Sequence, residues 1–218
     1  MDLDLTALWP PFGVRLACGP LDLRTLRDDD ISELAALALA GVEAEGVPVM
    51  PFEVPWHRED AATLPASMAR FYWGSRSRFT PESWSLMLVV RREGRVVGVQ
   101  DVMGRQFLTT RSLETGSWLG RAHHRQGTGT LMRQMVAAFA FDHLDAEELT
   151  SSYYEGNLAS GGVSARVGYV EVGRRRAPRE QGWAWRNEMV LTPERFVRAG
   201  EPVIVEGAEA FRRFIGLD

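Results

Sequence analysis

A glycine-rich stretch in the second half of the chain has the residue types and spacing best suited to holding an anion. Residues 123–130 read HHRQGTGT and stand between a predicted strand and a predicted amphipathic helix. Glycines at the start of a helix let backbone N–H groups approach an anion, and the positive end of the helix dipole favours phosphate there. A Walker loop is excluded because it requires a lysine, which the chain lacks, and a dinucleotide fingerprint is excluded because its third glycine position is Met132. The stretch therefore predicts either a phosphate cradle of another kind or a simple tight turn.

A second stretch with grouped polar residues is 157–169, which reads NLASGGVSARVGY and follows a predicted strand. Asn157 is a typical residue to cap the start of a helix, and Gly168 is a typical residue to end one. Alone, this pattern predicts a short capped helix that carries the hydroxyls of Ser160 and Ser164.

Residue alternation, helical spacing and turn signals predict the elements that must position these two stretches. The predicted strands are residues 21–26, 84–90, 96–103, 114–119, 149–154, 169–174 and 183–191. The predicted helices are residues 31–40, about 60–73, a segment from the glycine-rich stretch to about 144, and 157–167, with a loop over 41–56 and a tail of helix, extended piece and helix over 194–218. Hairpins followed by alternating strands and helices predict one α/β domain, with a mixed, mostly antiparallel sheet of about seven strands and helices on both faces.

The composition is that of an ordinary globular protein. Of the 218 residues, 45% are hydrophobic and 25% are charged, which excludes a disordered or collagen-like chain. A net charge of −4 argues against a general nucleic-acid binder, and the apolar runs fall far short of the ~20 residues that cross a bilayer. The single cysteine, Cys18, and the acidic first residues predict a cytoplasmic protein. The four histidines lack metal-ligand spacing, so no metal site is predicted.

Taken together, these motifs resemble the GNAT acyltransferases, and within them the RimJ/RimL-like branch. Gly127 and Gly129 match the pattern Q/R-x-x-G-x-G/A, with His124 at the Gln or Arg position. The pattern N-x-A-S-x-x-V-x-x-x-G-F/Y is matched by Asn157, Ala159, Ser160, Val163, Gly168 and Tyr169. Residues 21–27 resemble the first strand of the branch and residues 187–194 its last strand and exit. The resemblance covers about residues 20–195 of a single domain spanning 1–218, with 196–218 as a C-terminal extension.

The resemblance implies that acyl-CoA binds in a cleft where the fourth and fifth predicted strands splay apart. Exposed backbone groups of the fourth strand would pair with the pantetheine, because backbone groups inside a protein need hydrogen-bond partners. The glycine-rich turn would hold the pyrophosphate, and the start of the 157–167 helix would line the thiol end. The CoA-binding residues implied in this way are Trp118, Leu119, His124, Arg125, Gln126, Gly127, Thr128, Gly129, Thr130, Asn157 and Ser160.

The implied reaction is direct attack of a neutral amine on the thioester. An amine with a pKa of ~10.4 is almost fully protonated near neutral pH, so a base must take its proton. The resemblance places that base close to Glu180, with Arg179 at the equivalent position. Asp101 and Glu114, on neighbouring predicted strands, are the alternatives.

The resemblance also implies how the charges of the reaction are stabilised. The N–H of Leu119 would face the developing oxyanion. Many members of the family place a tyrosine seven residues after the asparagine to protonate the leaving thiolate, and that position is Ser164 here. In this branch the serine of N-x-A-S is the alternative, which makes Ser160 the expected acid.

Length and overall pattern are similar to those of a GNAT enzyme that uses succinyl-CoA, so the resemblance implies succinyl-CoA or acetyl-CoA as the donor. A succinyl carboxylate needs a cation or several donors, which residues 174–176, Arg179, Gln100 and Trp118 would supply. The acceptor would be an amine of a protein N-terminus, a lysine or a small molecule, and a homo-oligomer is expected. The alternative is a catalytically silent domain that senses acyl-CoA, suggested by His124 at a Gln or Arg position.

Overall fold

One mixed β-sheet organises the residues that the structure, a computed structural model, describes: 4–44, 50–179 and 182–217. Its nine strands are β1 (Arg15–Cys18), β2 (Leu21–Thr25), β3 (Ser83–Arg92), β4 (Arg95–Arg105), β5 (Ser112–Leu119), β6 (Glu148–Tyr154), β7 (Val170–Pro178), β8 (Trp183–Leu191) and β9 (Ile204–Glu206). Their order in the sheet is β7-β8-β6-β5-β4-β3-β2-β1-β9. Among these residues the one parallel pair is β5 with β6, so the sheet is mixed and mostly antiparallel, as predicted.

Seven α-helices in the described part of the chain accompany the sheet. They are α1 (Leu5–Leu8), α2 (Asp28–Leu39), α3 (Leu64–Ser77), α4 (Phe107–Thr110), α5 (Thr128–His143), α6 (Leu158–Val167) and α7 (Ala208–Phe214). Helices α2 and α3 pack on one face in a core that includes Leu34 and Val89. Helices α5 and α7 pack on the other face in a core that includes Phe139 and Phe211. The predicted cover of helices on both faces is confirmed.

Helix α5 is the element that positions the glycine-rich turn. It begins directly after Gly127, whose φ of 78° ends the turn in the left-handed region that suits glycine. Met132, Met135, Val136 and Phe139 recur at helical spacing and are all buried against the sheet. Burying each of these side chains stabilises the packing by about 1.5–3 kcal/mol, so the start of α5 has a well-defined place.

Two strands lie outside the sequence prediction. β1 forms a tight hairpin with β2 through Gly19, which has a φ of 52°, and the three-residue β9 pairs with β1 at the sheet edge. Both strands are too short to show a periodic pattern, and the pairing of β9 with the distant β1 is decided by the tertiary structure. The tail differs as well, because its first predicted helix is only a 3-10 turn over Pro193–Arg195.

The predicted splay lies between β5 and β6. Their parallel pairing covers three residue pairs and ends at Glu114 with Thr150. Beyond that point β5 runs on to Leu119 beside β4 alone, and β6 runs on to Tyr154 beside β8 alone. The two strands therefore open into a gap. No helix in the described residues has the length and apolar character needed to span a membrane.

Candidate active site

The edge of β5 that faces the gap carries unpaired backbone groups. The N–H of Gly120 donates to the carbonyl of Val97 on β4 at 2.9 Å. Bonded and non-bonded pairs alternate along an antiparallel ladder, so the next bonded pair is Trp118 with Val99. Leu119 and Ser117 consequently direct their N–H and carbonyl groups away from β4, into the gap. Of the two residues predicted to pair with pantetheine, Leu119 has its backbone groups in the gap and Trp118 bonds to β4.

The turn before α5 carries backbone groups suited to an anion. Arg125 and Gly127 both adopt positive φ, 58° and 78°. The N–H groups of Thr130 and Leu131 donate back to the carbonyl of Gly127. The first amides of a helix have no partner within the helix, so those that precede Thr130 point out of the α5 start.

Positive side chains surround this turn. Arg92, at the end of β3, donates to the carbonyl of Gln126 and to Oγ1 of Thr128, both at 3.0 Å. Burial, and then neighbouring positive charges led by Arg92, lower the pKa of His123. Arg125 is exposed. The turn thus combines helix amides with fixed positive charge, which suits a pyrophosphate.

Gly129 brings the three predicted segments of the site together. A Cβ atom at this position would lie 3.4 Å from Cγ2 of Val163 on α6 and 3.8 Å from Cδ1 of Leu119 on β5. Three segments therefore meet at one place: the glycine-rich turn, the 157–169 stretch and the end of β5.

Helix α6 is built as its sequence predicted. The side chain of Asn157 accepts from the N–H of Ser160 at 3.2 Å, and Gly168 ends the helix with a φ of 107°. Ser160 is half-buried, whereas Ser164 is buried one turn further on. The hydroxyl of Ser164 accepts a 2.8 Å hydrogen bond from Arg133 of α5, which is itself buried.

The carboxylate of Asp101 lies near the gap, on the face of the sheet opposite to α5. Asp101 on β4 is paired with Gly116 of β5 and shares its face with Val99. Its Oδ1 atom is shielded from solvent and has no hydrogen-bond partner. Burial raises the pKa of Asp101 to about 7. Burial, and then the negative charge of Asp101, also raise the pKa of Tyr72 on α3, which places the two groups close together.

Aromatic side chains pack on the same face of the sheet as that carboxylate. The rings of Trp118 and Trp56 meet edge to face at 5.4 Å, and Phe52 lies 5.3 Å from Trp56. Arg179, after β7, donates to the carbonyls of Met50 and Phe52 and so ties the 50–58 segment to the β7–β8 hairpin. The result is an aromatic wall between α3 and the end of β5.

The other candidate bases have different positions. Glu180 lies outside the described residues. Glu114 is on β5 at the point where pairing with β6 ends, next to Met103 and Thr150. It therefore lies at the closed end of the gap, farther from Leu119 than Asp101 is.

The arginines suggested for an acyl carboxylate are engaged elsewhere. Residues 174–176 are exposed on β7, which β8 and β6 separate from β5. Arg175 pairs with Glu188 at 2.7 Å, and Arg179 lies 3.4 Å from the ring centre of Tyr154. Gln100 uses its amide nitrogen on the carbonyls of Gly116 and Asp101. Among the described residues there is no cluster of side chains that would hold a metal ion.

Sequence reasoning missed Arg133 altogether. Its place in the apolar pattern of α5 gave no signal except that it is a charged residue on the buried side of the helix. The shielding of Asp101 was equally invisible, because it depends on α3 and on the 50–58 segment packing over β4.

Comparison with known proteins identifies the family. A family model described as an acetyltransferase (GNAT) domain matches residues 21–170. The chain therefore belongs to the GNAT acetyltransferases and is an acyltransferase.

Several solved acetyltransferase structures share this fold. RimJ of Mycobacterium smegmatis, in complex with CoA-disulfide, is 19% identical over 92% of each chain, with a TM-score of 0.68. RimL, a ribosomal L7/L12 alpha-N-protein acetyltransferase in complex with coenzyme A, is 14% identical over 80% of this chain and 95% of that one, with a TM-score of 0.67. Spermidine N-acetyltransferase from Vibrio cholerae, in complex with CoA and spermine, is 14% identical over 81% and 97%, with a TM-score of 0.61. At these identities the likeness is one of fold, and it agrees with the predicted RimJ/RimL-like branch.

Proposed function

We propose that this protein transfers a succinyl or acetyl group from CoA to a primary amine by direct attack in a ternary complex. The observation that carries the proposal is the edge of β5 beyond its last pair with β6, where the N–H of Leu119 and the backbone of Ser117 face the gap beside the start of α5. An extended pantetheine pairs with such an edge as an added strand would. The pyrophosphate then reaches the α5 amides and the positive charges around Arg92.

Asp101 is the general base that the geometry favours. It lies across from Gly116, so no side chain stands opposite it on β5. Gly116 in turn adjoins Ser117, whose backbone faces the gap. A carboxylate that titrates near pH 7 is ionised enough to accept a proton and still releases it readily. Its place on the sheet requires the proton to travel through a bridging water.

The remaining charges of the reaction have their own partners. The N–H of Leu119 stabilises the oxyanion that forms when the amine attacks, because it is aimed into the gap before the reaction begins. The amine loses its proton to Asp101, which releases it to solvent, and the C–S bond breaks. The CoA thiolate takes a proton through the hydroxyl of Ser160, which regains one from solvent. The products are an amide and free CoA.

The amine enters from the face that carries Asp101. Trp118, Trp56 and Tyr72 line this side, and aromatic faces and a carboxylate both attract an ammonium group. This favours a cationic amine, whether of a protein N-terminus, a lysine or a small molecule. The neighbours in complex with coenzyme A act on a protein N-terminus in one case and on spermidine in another, as their names state.

The test measures CoA thiol release from acetyl-CoA and succinyl-CoA with three acceptors: a free peptide N-terminus, a lysine peptide and a polyamine. We expect release above the amine-free blank with at least one acceptor. In parallel, saturation by the donor at about 100 times Kd adds ~2.7 kcal/mol of stability, which raises Tm by several degrees at this size. A Tm shift without release for any amine would favour the silent sensor, and the absence of any shift would contradict acyl-CoA binding.

The proposal also covers the cellular compartment and the oligomeric state of the protein. We place the reaction in the cytoplasm, because the one cysteine, Cys18, is a buried free thiol that suits a reducing compartment. We also propose a homo-oligomer, since Phe71 and Trp73 on α3 are 57% and 50% exposed. Light scattering after gel filtration tests the oligomer, and a monomeric mass would contradict it.

A further inference from the structure

Arg133 is a buried cation held only by neutral groups. It lies one turn into α5 and is 4% exposed. Its guanidinium donates to the hydroxyl of Ser164 at 2.8 Å, of Ser117 at 3.3 Å and of Ser151 at 3.5 Å. The Nε atom is buried and has no hydrogen-bond partner.

No carboxylate among the described residues forms an ion pair with this guanidinium. The contrast is Asp30, a fully buried carboxylate that pairs with Arg24 at 2.7 Å and with Arg91 at 2.9 Å. Arginine stays protonated in proteins, so burial leaves Arg133 as a full positive charge without a counter-ion. Such a charge is costly unless something balances it. A cation–π contact with the ring of Tyr169, 5.9 Å from the guanidinium carbon, offsets only part of this cost. A missing anion explains the rest.

Arg133 lies close to the gap between β5 and β6. Ser117 belongs to β5 and Ser151 to β6, just beyond the last parallel pair, Glu114 with Thr150. The hydroxyl of Ser151 lies 3.4 Å from the carbonyl of Thr115 across the opening. Arg133 therefore lies behind the vertex at which the two strands separate, on the face covered by α5.

We propose that Arg133, with the hydroxyls of Ser117, Ser151 and Ser164, binds the terminal carboxylate of a dicarboxylic acyl group on the CoA donor. The inference rests on the proposed function, because it takes the thioester carbonyl to lie at the N–H of Leu119. Ser117 precedes Leu119 by two residues, or ~7 Å along a strand. A four-carbon diacid spans ~5 Å from its thioester carbon to its carboxylate oxygen, and a hydrogen bond of ~2.9 Å covers the rest. Succinyl fits this distance.

Two other roles for the same residue make different predictions. If Arg133 stabilised the leaving thiolate, it would serve every donor alike, because all donors release the same CoA. If it only held α5, α6 and the strands together, it would also affect all donors alike. A carboxylate partner affects only donors that carry a carboxylate, so donor discrimination separates the three roles.

The first experiment uses the unaltered protein. Values of kcat/KM are measured with acetyl-CoA, with succinyl-CoA and with butyryl-CoA, which has the same chain length as succinyl but no charge. We expect succinyl-CoA to exceed butyryl-CoA by about 100-fold or more, since a buried charge left without its partner costs at least that much. Equal use of butyryl-CoA and succinyl-CoA would overturn the inference while leaving the acyltransferase intact. No release from any donor, and no Tm shift with CoA, would overturn the proposed function as well.

The second experiment replaces Arg133 by methionine, which has similar length and no charge. We expect the ratio of kcat/KM for succinyl-CoA to that for acetyl-CoA to fall about 100-fold, and Arg133→Lys to retain part of it. The ligand-free Tm of Arg133→Met should equal or exceed that of the wild type, because an unbalanced buried charge is removed. Arg166→Met, at an exposed position on α6, is the matched control and should leave the ratio unchanged. An equal loss for both donors with Arg133→Met would overturn the inference.

Discussion

The Nε2 atom of His124 donates a 3.1 Å hydrogen bond to the carbonyl oxygen of Leu119. Because a carbonyl can only accept, the bond requires the proton on Nε2. The bond joins the glycine-rich turn to the last residue of β5. It also satisfies the carbonyl of Leu119, so that the N–H of this residue is the group left for a ligand in the gap. The histidine at the Gln or Arg position of the family pattern thus holds the backbone at the end of β5.

Replacing His124 by alanine should lower kcat/KM for the acyl donor about 10-fold. The change removes one hydrogen bond that positions Leu119, which is worth about 1–1.5 kcal/mol. His124→Gln can still donate from its amide and should stay within about 3-fold of the wild type. Steady-state kinetics measure both variants, and an equal loss in the two would contradict a positioning role.

Asp101→Asn should remove the base and lower kcat by about 100- to 1,000-fold. In the wild type the carboxylate acts when ionised, so kcat/KM for the acyl donor, which reports the pKa of the free enzyme, should rise with pH and level off above about 7. The variant should have lost this limb of the profile. Glu114→Gln is the control and should keep it. A pH profile with the same limb in Asp101→Asn would assign the base elsewhere, with Glu180 the next candidate.

Asp101→Asn should become more stable relative to the wild type as the pH rises. Burial raises the pKa of Asp101 from an ordinary value of 3.8 to about 7. The folded state therefore binds more protons than the unfolded state between these values, and the contribution of Asp101 to stability falls as pH rises through that window. Asparagine does not titrate, so the free energy of unfolding of Asp101→Asn should gain on the wild type, by on the order of 3 kcal/mol between pH 4 and pH 8. Urea unfolding at both pH values measures this, and a constant difference would show that Asp101 is not buried as described.

Asn157→Asp separates the cap of α6 from a role at the thiol end. Aspartate caps a helix as well as asparagine does, so Tm should change by less than about 2 °C. A carboxylate beside the thioester repels the developing thiolate, so kcat/KM should fall about 10-fold or more. Asn157→Ala should instead lose about 1 kcal/mol of stability with the cap. Unchanged kinetics in Asn157→Asp would leave Asn157 as a cap alone.

Local signals predicted the parts of the molecule that depend on neighbours in the chain. Residue alternation indicated β2, and apolar runs with turn signals indicated β3 to β8, each to within about four residues. Asn157 and Gly168 indicated both ends of α6, and the glycines at 127 and 129 marked the start of α5. β1 and β9 were missed because strands of four and three residues are too short to show alternation. β9 in addition depends on pairing with residues far away in the chain, Ala17 with Ile204 among them.

The sequence by itself determined the fold class, the family and the order of the segments that form the gap, because periodicity, turn residues and motif spacing are all local properties. Only the tertiary structure decided the electrostatics of the site. Burial raises the pKa of Asp101 to about 7 because separate parts of the chain exclude water from it. Arg133 has no counter-ion among the described residues because the side chains around it are neutral: serines from β5, β6 and α6 and the ring of Tyr169. Burial and the identity of contacts between distant residues set these charges, and no pattern of adjacent residues encodes them.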